Sequence, residues 1–243
     1  MNYGLYTSFL GMRARQRTLE SQANNIANAM TVGYKAARLS YSTIEADKKG
    51  ESSLQNLVAG AMTSGATDFT AGAINQTGRN LDVALEGDGF LQIQTPRGAR
   101  YTRAGNLTLD ANGQLVTKNG DLVVGAKGTI TVPRGGDLSI GVDGSLSVNG
   151  KNFDKLKLVS FENPAAALQK EGDSLFVETG SEEPKPAENS RVIQGALEGS
   201  NINSIQEMVS MMNNNREFES IQKSVSLIMN DLGRKIAGEI GKI

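Results

Sequence analysis

The best candidates for chemistry in this sequence are three acidic residues within one short segment. Asp82, Glu86 and Asp88 could supply a general acid and a general base if two of the carboxylates lay at a suitable separation. The sequence contains neither His nor Cys, so it can complete no His-dependent triad and no thiolate or imidazole metal site. We therefore interpret the three carboxylates as loop and strand-edge charges and predict that the protein is not an enzyme and has no catalytic residue.

Two glycine-containing motifs suggest ligand binding, but both are incomplete. The segment GDLVVGAK, residues 120–127, resembles a phosphate-binding loop, although no Ser or Thr follows its lysine. The motifs DANG (110–113) and DGS (143–145) place aspartate beside glycine, as calcium loops do, but neither continues to a terminal Glu. We interpret these segments as hairpin turns and predict no cofactor and no metal ion.

Charge and hydropathy exclude several kinds of partner. The chain has 25 Lys and Arg against 26 Asp and Glu, so no overall basic surface for nucleic acid or anionic membrane is expected. No apolar run approaches the about 20 residues of a membrane-spanning helix. The start MNYGLYTSFLGMRARQ also lacks the pattern of a cleavable secretory signal. Direct membrane insertion is therefore not expected.

Apolar residues recur at helical spacing near both ends of the chain. Alternating steps of three and four residues are typical of a coiled-coil seam. We predict one helix over about residues 3–28 and a second that begins near Asn203 or Ser204, each pairing with the other or with neighbouring copies. The predicted assembly interface consists of Leu5, Phe9, Met12, Leu19, Ala23, Asn25, Ile26 and Asn28 in the first helix and Met208, Met212, Phe218, Ile221, Val225, Ile228, Leu232 and Ile236 in the second.

Polar residues within these helices have two interpretations. Asn25 and Asn28 lie near the end of the first helix, and residues 213–215 are three asparagines in the second. A buried Asn fixes the register of a helix pair at some cost in stability, whereas an exposed Asn marks only a helix surface or a helix end. Gly33 follows the first helix, and its tolerance of positive φ favours a turn there.

The apolar period changes from helical spacing to two at Leu81. Short alternating segments then follow one another, separated by dipeptides such as Asn149-Gly150 that suit hairpins. We predict an α+β protein with a central antiparallel β domain, barrel-like or sandwich-like, that contains Phe153, Phe161 and Phe176 in its core. The predicted organisation is an inner helical domain (1–40 and 201–243), an extended connector (41–72) and the β domain (73–200).

Four segments of the sequence resemble the flagellar rod and hook axial proteins, and the resemblance extends over nearly the whole chain. Among the members of that family, the sequence is most similar to those of the proximal rod. The segments are, in order, ANNIAN with TVGYK (23–35), GAINQTGRNLDVALEGDGFLQI (72–93), YTRAGNLTLDANGQLVTKNGDLVVG (101–125), and VIQGALEGSNIN with EMVSMMNNNREFE (192–219).

The resemblance implies a structural subunit of the bacterial flagellar basal-body rod. The terminal helices would line a torque-transmitting helical tube, with the β domain outside them. The implied partners are other rod and hook-family subunits and, during secretion, the flagellar export apparatus. The implied location is the periplasmic rod, reached without a cleavable signal. The alternatives are a distal-rod or hook subunit, or a secreted β-rich adhesin, which would explain the strands but not the two terminal seams.

Overall fold

The computed structural model describes residues 2–42, 62–133 and 135–240, and the chain forms two compact units. The first unit comprises Met1–Ala27, Ala37–Ala66 and Asn203–Ile243, and the second comprises Asn28–Ala36 and Thr67–Ile202. Side chains are described for residues 8–40, 65–133 and 135–230 and for Arg234. Of the predicted connector, residues 43–61 lie outside the described residues.

The order of the elements is helix, many short strands, helix. Within the described residues, the helices are α1 (Asn2–Ala27), α2 (Pro164–Ala167) and α3 (Ser204–Ile240). The strands are, in chain order, β1 (Ala37–Ser42), β2 (Met62–Thr67), β3 (Ile74–Gln76), β4 (Val83–Glu86), β5 (Phe90–Thr95), β6 (Gly98–Thr102), β7 (Thr108–Leu109), β8 (Leu115–Val116), β9 (Leu122–Gly125), β10 (Gly128–Thr129), β11 (Leu138–Ile140), β12 (Ser145–Val148), β13 (Lys151–Lys155), β14 (Leu158–Ser160), β15 (Leu168–Gly172), β16 (Leu175–Glu178), β17 (Lys185–Pro186), β18 (Arg191–Gln194) and β19 (Ala196–Glu198).

The first unit contains the two long helices and the β1-β2 pair. Asn203 is the N-cap of α3, because its side-chain oxygen accepts from the backbone N–H of Gln206 at 3.2 Å. Its carbonyl accepts from the N–H of Glu207 at 3.0 Å, which closes the first helical turn. Glu207 also places a negative charge in the first turn, where the helix dipole favours it. The sequence therefore sets the start of α3 locally.

The second unit consists of antiparallel sheets. The largest has the order β15-β16-β6-β5-β9-β8-β7, with β10 beside β9 and with β14 between β5 and β17. Smaller sheets are formed by β11-β12-β13, β18-β4 and β19-β3. The predicted antiparallel β region is confirmed. A closed barrel is not formed by the described strands, because closure requires the two edge strands to pair and β15 and β7 lie at opposite ends of the order.

Alternating strand residues form the core of the second unit. One apolar cluster joins strands from β4 to β18, and a second is built around Phe90, Phe161 and Phe176. The rings of Phe90 and Phe176 lie 6.0 Å apart at 74°, the edge-to-face arrangement that aromatic pairs favour. Phe161 and Phe176 are buried as predicted, whereas Phe153 is partly buried against the first cluster.

The hairpin between β12 and β13 shows why the turn dipeptides could be recognised. Asn149 has φ 52° and Gly150 has φ 76°, so both central residues occupy the left-handed region. A two-residue hairpin of this kind matches the twist of its strands, and Asn followed by Gly tolerates it best. Val148 and Lys151 pair across the turn and fix the register.

The acidic residues that could have supplied acid-base chemistry do not form a site. Asp82 is buried and accepts a hydrogen bond from the Thr77 hydroxyl at 2.7 Å, while Glu86 and Asp88 are exposed. Within the described residues no group of three acidic side chains is placed to hold a metal ion. None of the described helices combines the length and the hydropathy needed to cross a membrane.

Candidate assembly interface

Polar side chains form hydrogen bonds and an ion pair between α1 and α3. Arg15 donates to the Asn214 side-chain oxygen at 2.9 Å and forms an ion pair with Glu217 at 2.5 Å. The Asn214 amide in turn donates to Gln22 at 3.0 Å. Because exposed ion pairs contribute only about 0 to 1 kcal/mol, these bonds orient the helices more than they stabilise them.

Asn25 joins three elements of the first unit. Its side-chain amide donates to the carbonyl of Ala37 at 2.9 Å and to the Glu207 carboxylate at 3.0 Å. Its side-chain oxygen accepts from the N–H of Ala37 at 2.9 Å. Asn25 is only 4% exposed, so α1, the start of β1 and the first turn of α3 meet at one buried amide. Its partners in α3 precede those of Arg15, which makes the two helices antiparallel.

The other asparagines that the sequence singled out have different positions. Asn28 accepts the N–H and the hydroxyl of Thr31 at 3.0 and 3.1 Å, in the turn after α1. Asn213 is exposed, and Asn215 donates to Glu219 within α3. Of the asparagines that the sequence indicated, Asn25 is buried in the contact between α1 and α3, and Asn214 is half-buried in the same contact.

Replacing Asn25 with Leu is expected to destabilise the first unit by about 2 kcal/mol. The change removes the side-chain acceptor of the Ala37 N–H and one of the two donors to the Ala37 carbonyl, which keeps the Ser21 hydroxyl at 3.4 Å. An unsatisfied buried group costs about 1 to 3 kcal/mol. Hydrogen exchange on the purified chain should show the Ala37 amide exchanging at least about tenfold faster. The same substitution at exposed Asn213 is the control and should change stability by less than about 0.5 kcal/mol. Unaltered exchange at Ala37 in the Asn25 variant would contradict this role.

The predicted apolar stripe of α1 lies beside the polar contact with α3. Gln22 and Asn25, which contact α3, each precede by one residue a member of that stripe, Ala23 and Ile26. At about 100° per residue, Met12, Leu19 and Ile26 lie within about 60° of Arg15 around the helix and flank the polar contact, whereas Phe9 lies about 120° from Arg15. Phe9 is 55% exposed, and Ala23 is also exposed. The remaining described members of the stripe are half-buried: Met12, Leu19 and Ile26.

The predicted residues of α3 divide into two groups. Phe218, Ile221 and Val225 are half-buried, whereas Ile228, Met208 and Met212 are exposed. The side chains of Leu5, Leu232 and Ile236 lie outside the described residues. Two further exposed apolar residues, Ile205 and Val209, lie in the first turns of α3. We name the α3 outer patch as Ile205 (75% exposed), Met208 (49%), Val209 (48%) and Met212 (55%).

Sequence reasoning missed the polar face of α1. Arg15, Gln22 and Asn25 are spaced seven and three residues apart, which is as helical a period as that of the apolar stripe. Polar residues at this period are usually assigned to a solvated face, so the pattern alone does not identify a contact. The signal that could have identified it is the matching set of Glu207, Asn214 and Glu217 on α3.

Gly33 lies in the second unit, where no other residue fits. It is buried with φ +66°, and a Cβ atom there would lie 2.4 Å from the backbone nitrogen of Ala104. Its N–H donates to the carbonyl of Glu198 at 2.8 Å. Both the backbone conformation and the close approach of another chain segment therefore require glycine.

A buried ionic cluster, the Lys35 cluster, consists of Lys35, Arg103 and Glu198. The Lys35 ammonium lies 2.6 Å from one oxygen of Glu198, and the Arg103 guanidinium lies 3.4 Å from the other. The same carboxylate accepts the N–H of Gly72 at 2.9 Å. Lys35 has no exposed surface, and the other two side chains are also buried. One carboxylate thus faces two cations and joins four segments of the second unit.

Burial governs the electrostatics of this cluster. Desolvation lowers the pKa of Lys35, although the hydrogen bond and charge of Glu198 oppose the shift. Desolvation also lowers the pKa of Arg103, again against the charge of Glu198. The Arg103 guanidinium stacks 4.8 Å from the centre of the Phe90 ring, which gives the cation a second stabilising contact.

Lys170 holds the segment that precedes Lys35. Its ammonium lies 3.7 Å from the centre of the Tyr34 ring and donates to the backbone carbonyl of Lys35. Burial lowers the pKa of Lys170 to about 8. The aromatic ring and the carbonyl therefore stabilise the charged amine, whereas its loss of water contacts destabilises it.

The stability of the chain relative to a Lys170→Met variant is expected to increase as the pH rises from 7 to 9.5. The folded-state pKa of about 8 lies below the about 10.4 of an unfolded lysine, so the folded state binds fewer protons in this window. Loss of that proton removes the desolvation penalty in the folded wild type, and the Met variant has no equivalent titration. Urea unfolding of both proteins at several pH values measures the difference. A difference that is constant or that falls with pH would contradict the assignment.

In the sequence, two long terminal helices with exposed apolar side chains precede and follow an antiparallel β region, an arrangement typical of a structural subunit. Three family models match three successive parts of the chain. "Flagella basal body rod protein" matches residues 5–35, "Flagellar hook protein FlgE/F/G D1 domain" matches 84–148, and "Flagellar basal body rod FlgEFG protein C-terminal" matches 193–228.

Curated relatives match over almost the entire length. The flagellar basal-body rod protein FlgF of Caulobacter vibrioides is 33% identical over 100% of both chains. FlgF of Salmonella typhimurium is 35% identical over 96% of this chain and 97% of the relative. The rod protein FlgG of Bacillus subtilis is 33% identical, with 91% and 93% covered.

The chain therefore belongs to the flagellar basal-body rod protein family. This finding confirms the resemblance seen in the sequence. Members of the family are structural rod proteins, so the prediction that the chain is not an enzyme is also confirmed.

Proposed function

We propose that this chain is a subunit of the proximal part of the flagellar rod and transmits torque along a helical tube. The support is its similarity to FlgF proteins over the complete chain. Similarity to a FlgG protein is comparable in identity but covers less of the chain, so a distal position is the alternative. The proposed organisation is an inner, tube-lining helical domain from residues 1–40 and 201–243, a connector from 41–72 and an outer β domain from 73–200.

The observation that carries this proposal is the exposed apolar surface on both terminal helices. Polar bonds join α1 to α3, and Phe9 and Ala23 of the α1 stripe remain exposed and available for other subunits. Burying one such side chain contributes about 1.5 to 3 kcal/mol. Contacts between unlike surfaces that do not close into a ring generate an open helix, which is the geometry of a rod.

We also propose the partners of this chain and its location in the cell. Other rod and hook-family subunits cover the terminal helices, and the flagellar export apparatus delivers the chain to the periplasmic part of the rod. The support is membership of the rod family.

Deletion of residues 205–243 is expected to abolish incorporation into the rod. The deletion removes nearly all of α3 and with it the α3 outer patch and the partners of Arg15 and Asn25. The test is immunodetection of an epitope-tagged chain in basal bodies isolated from bacteria that carry it in place of the native one. The tagged full-length chain is the control, and limited proteolysis checks that the β region stays folded. Recovery of the truncated chain in basal bodies at the control level would contradict the proposal.

A further inference from the structure

The chain passes between its two units at a few defined crossings, and three of them lie at Ala36, Thr67 and Ile202. Each of these residues is the first or the last of a segment of the second unit. A force that acts on one unit reaches the other at least in part along the covalent chain, through such crossings. The contacts that hold the crossings in the second unit therefore affect how that unit takes up a load.

One side-chain amide, that of Asn201, binds all three segments of the second unit beside these crossings. Its oxygen accepts from the backbone N–H of Ala36 at 2.8 Å. Its nitrogen donates to the carbonyl of Asp68 at 2.8 Å, and to the carbonyl and the hydroxyl of Thr70 at 3.2 and 3.0 Å. Asn201 and Asp68 are each one residue from a crossing. We name Asn201 with Ala36, Asp68 and Thr70 the Asn201 clamp.

The Lys35 cluster ties the same three segments together a second time. The Lys35 ammonium donates to the carbonyl of Thr70 at 2.7 Å. The Glu198 carboxylate accepts from that ammonium at 2.6 Å and from the N–H of Gly72 at 2.9 Å. The three segments are therefore bound to one another both beside the crossings and among buried charges.

The crossing between Ala36 and Ala37 has an asparagine anchor on each side. In the first unit, Asn25 accepts from the N–H of Ala37 and donates to its carbonyl, both at 2.9 Å. In the second unit, Asn201 accepts from the N–H of Ala36. Successive peptide groups are thus fixed in different units, so any load at this crossing passes over a very short length of chain.

The Asn201 clamp lies outside the apolar core of the second unit. The buried members of both apolar clusters come from residues 83–192. Loss of the Asn201 amide should therefore leave the β sheets folded. Asparagine suits this position because a short primary amide carries both a donor and an acceptor, whereas an ionised Asp offers only acceptors and Leu offers neither.

Resting on the proposed rod function, we propose that Asn201 is a load-bearing residue, which holds the three crossing segments of the second unit together when the rod transmits torque. Its hydrogen bonds link segments that are far apart in sequence, so a pull on one segment loads all three. Without the amide, each segment takes up the load with fewer bonds and separates at a lower force.

Single-molecule pulling on the purified full-length chain measures this role without a rod. The sequence contains no Cys, so cysteines introduced at the exposed residues Ser40 and Lys118, one in each unit, are the only attachment points. For Asn201→Leu we expect a first rupture force at least about a third below that of the unsubstituted chain, because the bonds of one network are lost together. Asn189→Leu, at an exposed position of the same unit, is the control and should leave that force unchanged.

A second variant gives a graded comparison. Asn201→Asp keeps the acceptor for the Ala36 N–H but loses the donor to Asp68 and Thr70, so its rupture force should lie between those of Asn201→Leu and the unsubstituted chain. Equal rupture forces in the two Asn201 variants and the Asn189→Leu control would overturn the inference.

Motor rotation under load tests the same role in the rod. Beads attached to flagella report rotation in media of increasing viscosity, and immunoblots of isolated basal bodies report incorporation. Motors with Asn201→Leu should turn normally at low load, but at high load the fraction that turns should fall at least about fivefold below that of Asn189→Leu. Normal rotation at every load, or an equal loss at every load, would overturn the inference. If the unsubstituted chain is missing from basal bodies, the proposed function itself fails, which the immunoblots show separately from the rupture forces.

Discussion

Replacing Glu198 with Gln is expected to lower the free energy of unfolding of the second unit by about 3 to 5 kcal/mol. The substitution keeps the side-chain volume but leaves Lys35 and Arg103 buried without the carboxylate between them. Asp68 acts through space on Lys35 and Asp88 on Arg103, and each raises the pKa of its cation less than burial lowers it. Urea-dependent hydrogen exchange, read at the Gly33 amide that bonds to the Glu198 carbonyl, measures the loss.

The Lys35 cluster contains two cations and one carboxylate, so removing a cation should destabilise the second unit less than removing the carboxylate. Replacing Lys35 with Met leaves one cation and one carboxylate, so the expected cost is smaller, about 1 to 2 kcal/mol for the lost hydrogen bonds. Glu188→Gln, an exposed position, is the control and should stay within about 0.5 kcal/mol. Equal destabilisation by Lys35→Met and Glu198→Gln would contradict the proposed role of Glu198, which is to neutralise two buried positive charges.

Replacing Phe9 with Glu is expected to reduce incorporation into the rod at least about 100-fold. The free chain should keep its stability within about 0.5 kcal/mol, because the side chain is 55% exposed. In an assembled contact the same change buries an unpaired carboxylate at a cost of several kcal/mol, and each 1.4 kcal/mol is a factor of ten. Quantitative immunoblots of isolated basal bodies and swimming assays measure the effect.

Two controls separate an assembly defect from a general one. Phe9→Leu keeps an apolar side chain at the stripe and should restore incorporation to near the native level. Arg13→Glu introduces the same acid four residues later, at an exposed position beside the stripe, and should reduce incorporation much less. Equal defects in the Phe9→Glu and Arg13→Glu variants would show that added negative charge is responsible and that the stripe is not.

The terminal helices could be predicted because their period is local, but the face that each helix presents could not. The sequence shows an apolar stripe through Phe9 and Leu19, and the usual rule buries such a stripe against the partner helix. In the chain, Leu19 is only half-buried and Phe9 is exposed, and the bonds from Asn25 to Ala37 and Glu207 hold α1 in that orientation. Hydrogen bonds between segments far apart in sequence decide the orientation, and no periodicity reports them.

The β region was predictable in its turns and its antiparallel pairing, but not in its closure or its buried charges. Asn149-Gly150 sets a hairpin by local backbone preference alone. The order in which distant strands pair, with β5 between β6 and β9, is a property of the whole unit. Lys35 and Glu198 are 163 residues apart, so the charge pair is visible only once the fold is known.

A side-chain-resolved cryo-EM map of a basal-body rod that contains this chain tests the central claim most directly. Phe9 and Met212 are each 55% exposed in the single chain. In the rod, side chains of adjacent subunits are expected to cover both residues and to reduce their exposure to below about 10%, as in the core of a protein contact. A map in which both side chains still face solvent, with neighbouring subunits joined through the β region alone, would contradict it.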